Sequence, residues 1–217
     1  LSSLEEETGQ KQAAWRTDPS RAGISSCIGD IGTHAENLME YITGLKVVAL
    51  CADLTTFVIG RKLDDDGNVL VRLEQGAKGV LYASQVSVGE ENTLTIRVYG
   101  EDRGLEWRQE EPNTLIIKSA DEHRQIRRTG FGHLSDIANL NTRLPPGHPE
   151  GFIEAFANVY RNYAMALQSR LAKKEIKKEY LDFPSVEDGV RGMAFIEACV
   201  KSSISESKWY QLEEKVG

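Results

Sequence analysis

A chain of 217 residues, 40% hydrophobic and 27% charged, is long enough for one domain with a full core and has an ordinary globular composition. Its formal net charge of −7 argues against a nucleic-acid partner, which would select a basic face. No apolar run approaches the roughly 18 residues of a membrane span, and the three cysteines (Cys27, Cys51, Cys199) lack metal-like spacing and read as reduced and buried, so a cytoplasmic protein without a membrane partner is expected.

Residues 1–25 are polar and irregular, with at most a short helix around Gln10 to Trp15 and a turn at Asp18-Pro19. An amphipathic helix follows in "CIGDIGTHAENLMEYITG": Ile28, Ile31, Ala35, Leu38 and Ile42 recur at three- and four-residue steps, and Gly44 supplies the stop. From Leu45 to about Arg128 the pattern changes to seven short strands separated by "DDDGN", "QGAKG", "VGEEN", "GEDRG" and "EEPN". Leu94, Ile96 and Val98 share one face there, opposite Thr93, Thr95, Arg97 and Tyr99. Such close spacing leaves no room for crossover helices and predicts an antiparallel meander. Two long helices follow the loop "TGFGHLSDIANLNTRLPPGHPEG". The first carries Phe152, Phe156, Val159, Tyr163 and Leu167 at helical steps, and the second carries Val190, Met193, Ala194, Ile196 and Val200. "KWYQLE" reads as a final strand or extended tail. The fold class is α+β: a multi-stranded, mostly antiparallel open sheet with helices packed on one face, in a single domain spanning 1–217.

Asp30 and His34 stand four residues apart, a spacing that in an α-helix puts both on one side. An imidazole suits proton transfer at neutral pH, and a nearby carboxylate can orient it. The same spacing also decorates many solvated helix faces, so spacing alone leaves the role open. Trp15 and Arg16 suit the edge of a sugar pocket, and equally a packed Trp beside a surface Arg. His148 in "PPGHPEG" is either a pocket residue or part of a helix start marked by Pro149 and Glu150. His123 and His133 have no ligand-spaced partners, and "DDDG" lacks the distal Glu of a calcium loop, so no metal site is read. "AKKEIKKE" reads as a solvated helix end.

Three stretches in order carry a family resemblance: "WRTDPSRAG", then "AGISSCIGDIGTHAENLMEYITG", then "GHPEGFIEAFANVYRNYAMAL". They resemble the W-R-x-D-P segment, the D-x-x-x-H helix and the G-H-P-E-G-[FY]-x-E-A-F-A-N helix of the Gfo/Idh/MocA oxidoreductases, relatives of glucose–fructose oxidoreductase and inositol dehydrogenase. The resemblance implies an NAD- or NADP-dependent dehydrogenase of a sugar, polyol or related hydroxy compound. It implies His34 as the acid/base and Asp30 as holder of substrate hydroxyls, with Trp15, Arg16 and His148 contacting substrate. No G-x-G-x-x-G follows a strand, no E-K-P is present, and the first residue is Leu1. The chain is therefore read as a C-terminal substrate-binding and oligomerisation domain, a fragment lacking an N-terminal Rossmann domain. Alone it is expected to bind no cofactor and to be inactive. The alternative is a non-catalytic sugar-binding or dimerisation module. An open sheet face carrying Tyr82, Tyr99 and Trp107 predicts a homo-oligomer formed sheet to sheet.

Overall fold

A computed structural model describes residues 11–132 and 134–212, with side chains from Ala14 onward; His133 lies outside the described residues, as does Gln10 at the start of the expected first helix. In chain order the elements are helices α1 (Lys11–Arg16) and α2 (Pro19–Ala22), a π-helical turn (Ile28–Gly32), α3 (Thr33–Thr43), and strands β1 (Val47–Thr55), β2 (Asp66–Leu73) and β3 (Lys78–Ser84). Then come β4 (Thr95–Tyr99), β5 (Arg103–Arg108), β6 (Thr114–Ser119) and β7 (Gln125–Arg128), helices α4 (Asp136–Asn141), α5 (Phe152–Leu171) and α6 (Val186–Ile204), and strand β8 (Trp209–Gln211). All seven expected strands form, the final segment joins as an eighth, and every described strand pair is antiparallel. The α+β class holds.

The strands do not form one continuous meander. They fall into two four-stranded sheets, ordered β3-β2-β1-β8 and β4-β5-β6-β7, and the chain divides into two compact units accordingly. One unit comprises Leu1–Glu90 with Val186–Gly217, and the other Glu91–Ser185. The break falls between β3 and β4, which do not pair; at the opposite edge of the first sheet β1 is flanked by the distant β8, so that sheet is completed from the far end of the chain.

In the first unit, alternation along β1, β2 and β3 sends Val47, Leu50, Ala52, Val69, Val71, Leu81 and Ala83 inward. Ile28, Cys27, Phe195 and Cys199 cover them from the helical side. Burying such side chains contributes roughly 1.5–3 kcal/mol each. Gly67 on β2 is required by this contact, because a Cβ there would lie 2.7 Å from Ile28 Cδ1 and 3.0 Å from Leu54 Cδ2. Gly44 ends α3 in the left-handed region at φ 67°, as a C-terminal glycine should.

The hydrophobic pattern marked part of each buried face. Of the expected stripe, Ile28 is buried and Ile31 and Ala35 pack against the core, but on α3 Ile42 is exposed while Glu36 and Glu40 are buried. On α6, Val190 and Met193 are exposed, and the inward set is Phe195, Ile196, Ala198, Cys199 and Ser202. Ser202 earns its place by donating to the Lys208 carbonyl and accepting from the Ala52 amide at 2.9 Å. Burying a hydroxyl is cheap once its bonds are made.

In the second unit, β4 alternates as expected: Ile96 and Val98 are partly covered, Thr95, Arg97 and Tyr99 exposed. Register puts Tyr99 opposite Gly104, so Trp107, three residues along β5, lies on the other face. Trp107 and Tyr99 therefore do not share an outward surface; the indole Nε1 donates to the Pro112 carbonyl at 3.0 Å. Helix α5 leaves Phe152, Phe156, Val159, Tyr163 and Leu167 exposed and buries Asn162 and Ala166 instead. It ends at Leu171, and Lys173 takes a positive φ of 53°, so most of "AKKEIKKE" lies beyond the helix.

Candidate functional site

The segment that carries Asp30 and His34 is tied down by an aspartate from elsewhere in the chain. Asp64, between β1 and β2, accepts from the amides of Ser26 and Ile28 at 2.9 Å each and from the Ser25 hydroxyl at 3.0 Å. Its carboxylate thus serves the otherwise orphaned donors at the start of a helix. Asp65 likewise accepts from the amides of Phe57 and Val58 and from Arg61, and Asp66 from the Tyr82 hydroxyl. Only Asp64 and Asp65 of "DDDG" lie in the connection between the two strands, since Asp66 and Gly67 open β2, and all three acids are buried and hydrogen-bonded.

The segment begins as a π turn, with the Thr33 amide donating to the Ile28 carbonyl. Turns of this kind are frequent at functional sites. The α-helical spacing on which an Asp30–His34 pairing rests therefore holds only from Thr33 onward. Asp30 does not orient His34. Its carboxylate is held by Arg16, Nε to Oδ2 at 2.8 Å and Nη2 to Oδ1 at 3.2 Å, and by Gln85, Nε2 to Oδ2 at 3.2 Å. The Arg16 guanidinium also lies 4.5 Å from the centre of the Trp15 ring. Gln85 is fixed in turn by the Ser26 hydroxyl, which donates to its Oε1 at 3.3 Å.

The structure thus brings Trp15, Arg16 and Asp30 together and adds Gln85, which sequence reasoning missed. Gln85 follows directly after β3, in a stretch whose pattern signals only the end of a strand. His34 is exposed, and among the described residues no hydrogen bond reaches its ring. His148 belongs to the second unit, exposed, with Nδ1 3.2 Å from the Pro145 carbonyl oxygen. The start of α5 is capped by Glu154, which accepts from the Gly151 amide at 2.8 Å, while Glu150 binds the Arg143 and Leu144 amides. So Glu150 holds the loop and does not mark the first turn. Among the described residues no cluster of three or more His, Cys, Asp or Glu is arranged to hold a metal ion, and no helix is long and apolar enough to cross a membrane.

Behind this surface lies a second charged group. Glu40 accepts from Arg191 Nε and Nη2 at 2.7–2.9 Å, from Lys46 Nζ at 2.9 Å and from the Val47 amide at 2.8 Å. Burial pushes its carboxyl up, but these bonds overcome burial and hold it below the usual carboxylate range. The Cys27 and Cys199 thiols are pushed far up, by burial first and by nearby carboxylates second, so both are inert.

Known proteins extend this picture. Residues 2–106 match the family model described as the GFO/IDH/MocA C-terminal domain. The chain is 33% identical to the "Uncharacterized oxidoreductase YfiI" of Bacillus subtilis, over 94% of this chain and 53% of that protein. A solved inositol dehydrogenase homologue from Azotobacter vinelandii complexed with NAD+ superposes with a TM-score of 0.85 at 34% identity, covering 94% of this chain and 53% of that one. An inositol dehydrogenase homologue from the same organism, complexed with NADH and myo-inositol, gives 0.82 at 31% identity, covering 93% and 52%. The chain spans about half the length of the curated relatives it matches.

These matches correct one expectation. The protein was read as a fragment lacking a Rossmann domain, yet nearly all of this chain aligns with enzymes solved with NAD+ or NADH bound. Where the sequence starts and stops says nothing about what else the protein contains.

Proposed function

We propose that this chain supplies the substrate-facing part of an NAD(P)-dependent oxidoreductase acting on a sugar, polyol or related hydroxy compound. The observation that carries the reading is the Trp15–Arg16–Asp30–Gln85 cluster, whose Asp30 lies on the same tethered segment as the exposed His34 imidazole. The relatives solved with NAD+ and with NADH and myo-inositol support it. A nicotinamide supplies the hydride acceptor for such a reaction. The described strand pairs are all antiparallel, without the parallel strand–helix–strand unit that cradles a dinucleotide, so no described residue is assigned to the cofactor.

The chain's own residues serve the proton half. His34, exposed, takes the substrate hydroxyl proton as hydride leaves the same carbon, and returns it in reduction. Asp30 accepts from substrate hydroxyls with the lone pairs that Arg16 and Gln85 leave free. The Trp15 ring offers an apolar face to a sugar ring. In the intact enzyme, His34→Ala is expected to lower turnover with myo-inositol as probe substrate by about 10²–10⁴-fold while leaving cofactor affinity unchanged. Full activity in that variant would end the assignment.

The same chain also mediates association in this reading. Register aligns Val80, Leu70, Cys51 and Trp209 in one row across β3, β2, β1 and β8. Val80 is 73% and Leu70 48% exposed, and Tyr82 is exposed nearby on the same sheet. An apolar row crossing a whole sheet fits burial against a second copy.

A further inference from the structure

Glu36 is the least explained side chain in the first unit. It is 3% exposed, and its Oε1 has no hydrogen-bond partner. It stands one turn before Glu40 on the inward side of α3, where two carboxylates would repel in a medium that solvates neither. The cations that face the pair are Arg191 from α6, which also donates to the Val47 carbonyl at 2.6 Å, and Lys46 from the turn into β1. Both direct their hydrogen bonds at Glu40. Beyond Lys46 lies Asp188 of α6 at 3.9 Å, and the Cys199 thiol of α6 feels the Glu36 charge. Glu36 therefore meets an acid on its own helix and a thiol across from it, while Arg191 and Lys46, whose charges also reach it, hydrogen-bond to Glu40.

We propose that Glu36 and Glu40 hold one proton between them, carried by Glu36 and donated toward Glu40, and that this shared proton is a pH-sensitive latch fastening α3 to α6. Glu40 then carries the single negative charge that Arg191 and Lys46 neutralise, and the orphaned oxygen belongs to a neutral acid. Burial first, then the Glu40 charge and a hydrogen bond to Glu40, push the Glu36 carboxyl up to about 7. When the proton leaves, the second carboxylate is stranded against the first and the helix that carries His34 loses part of its mooring. This inference is independent of the proposed activity, since it concerns only how α3 is held.

The sign follows from linkage. A group whose folded pKa lies above its unfolded value stabilises the fold most below the unfolded value, and that contribution is lost as pH rises through the folded one. Here the window runs from about 4.5 to about 7. Across it the folding equilibrium of the wild-type chain should weaken by about 10²-fold relative to Glu36→Gln, whose neutral amide mimics the protonated acid. Thermal melts of both proteins from pH 5 to 8 should diverge, the variant gaining with rising pH; parallel profiles would overturn the proposal. Should Glu36→Gln fail to fold, infrared spectra of the wild-type chain decide. A carboxylic-acid carbonyl band present at pH 6 and titrating out near pH 7 supports the latch, and its absence from the folded protein at pH 6 refutes it.

Discussion

The guanidinium of Arg16 meets the carboxylate of Asp30 edge to edge, with Nε 2.8 Å from Oδ2 and Nη2 3.2 Å from Oδ1, across a sequence separation of 14 residues. The two-pronged contact fixes the orientation of the carboxylate as well as its position. In the proposed function Asp30 is thereby a preset acceptor for hydroxyls, on the same segment as His34.

Removing that clamp should change binding more than folding. Both side chains are 20–25% exposed, so Arg16→Ala is expected to cost no more than about 1 kcal/mol in urea unfolding. In the intact enzyme the same variant should raise the KM for substrate, and Arg16→Lys should not rescue it, because an ammonium cannot grip both carboxylate oxygens in plane. An unchanged KM in both variants would remove Arg16 from the site.

Gly67 tests the packing beneath the site. Gly67→Ala places a methyl 2.7 Å from the fully buried Ile28 and should destabilise the chain by about 1–3 kcal/mol. Ile28→Val in the same chain removes the Cδ1 atom and should recover part of the loss. Denaturant titration of the single and double variants reads both effects; a single variant as stable as wild type would contradict the close approach.

Glu40 makes the opposite prediction from Glu36. Glu40→Gln leaves the Arg191 guanidinium, 13% exposed, facing a neutral amide, and should cost on the order of 3 kcal/mol. Its lowered carboxyl means that the stability it confers is present above the unfolded carboxylate value of about 4.5 and is lost as pH falls below it. The acid limb of the wild-type stability profile should therefore flatten in Glu40→Gln, measured by denaturant midpoints from pH 3 to 6. An acid limb of the same slope in both would reject it.

Association is tested at Leu70, the centre of the apolar row. Leu70 faces outward between Cys51 and Val80, so Leu70→Lys should leave the fold intact and introduce a charge that cannot be buried against a second copy. Sedimentation is expected to give a dimer or tetramer for wild type and a smaller species for the variant. A wild-type monomer at high concentration would dismiss the sheet-to-sheet interface.

What the sequence determined by itself was local. Turn stretches between short apolar runs marked the strands β1 to β7, with alternation clear at β4, where a period of two reads directly as a pleat, and Gly44 marked a helix end, because the left-handed region closes it. The order of the W-R, D-x-x-x-H and G-H-P-E-G stretches carried the family resemblance. The tertiary structure decided everything that depended on a distant partner. Glu40 faces inward because Arg191, 151 residues beyond it, meets it there, and a hydropathy pattern scores an acid as solvent-facing whatever its partner. Asp30 turned to Arg16 and Gln85 because the π turn set its direction and Asp64 set the turn. The first sheet ends at β3 and takes its fourth strand, β8, from the far end of the chain, so two sheets stand in place of one. Periodicity fixes which residues share a face; which face is buried is fixed by what the rest of the chain brings against it.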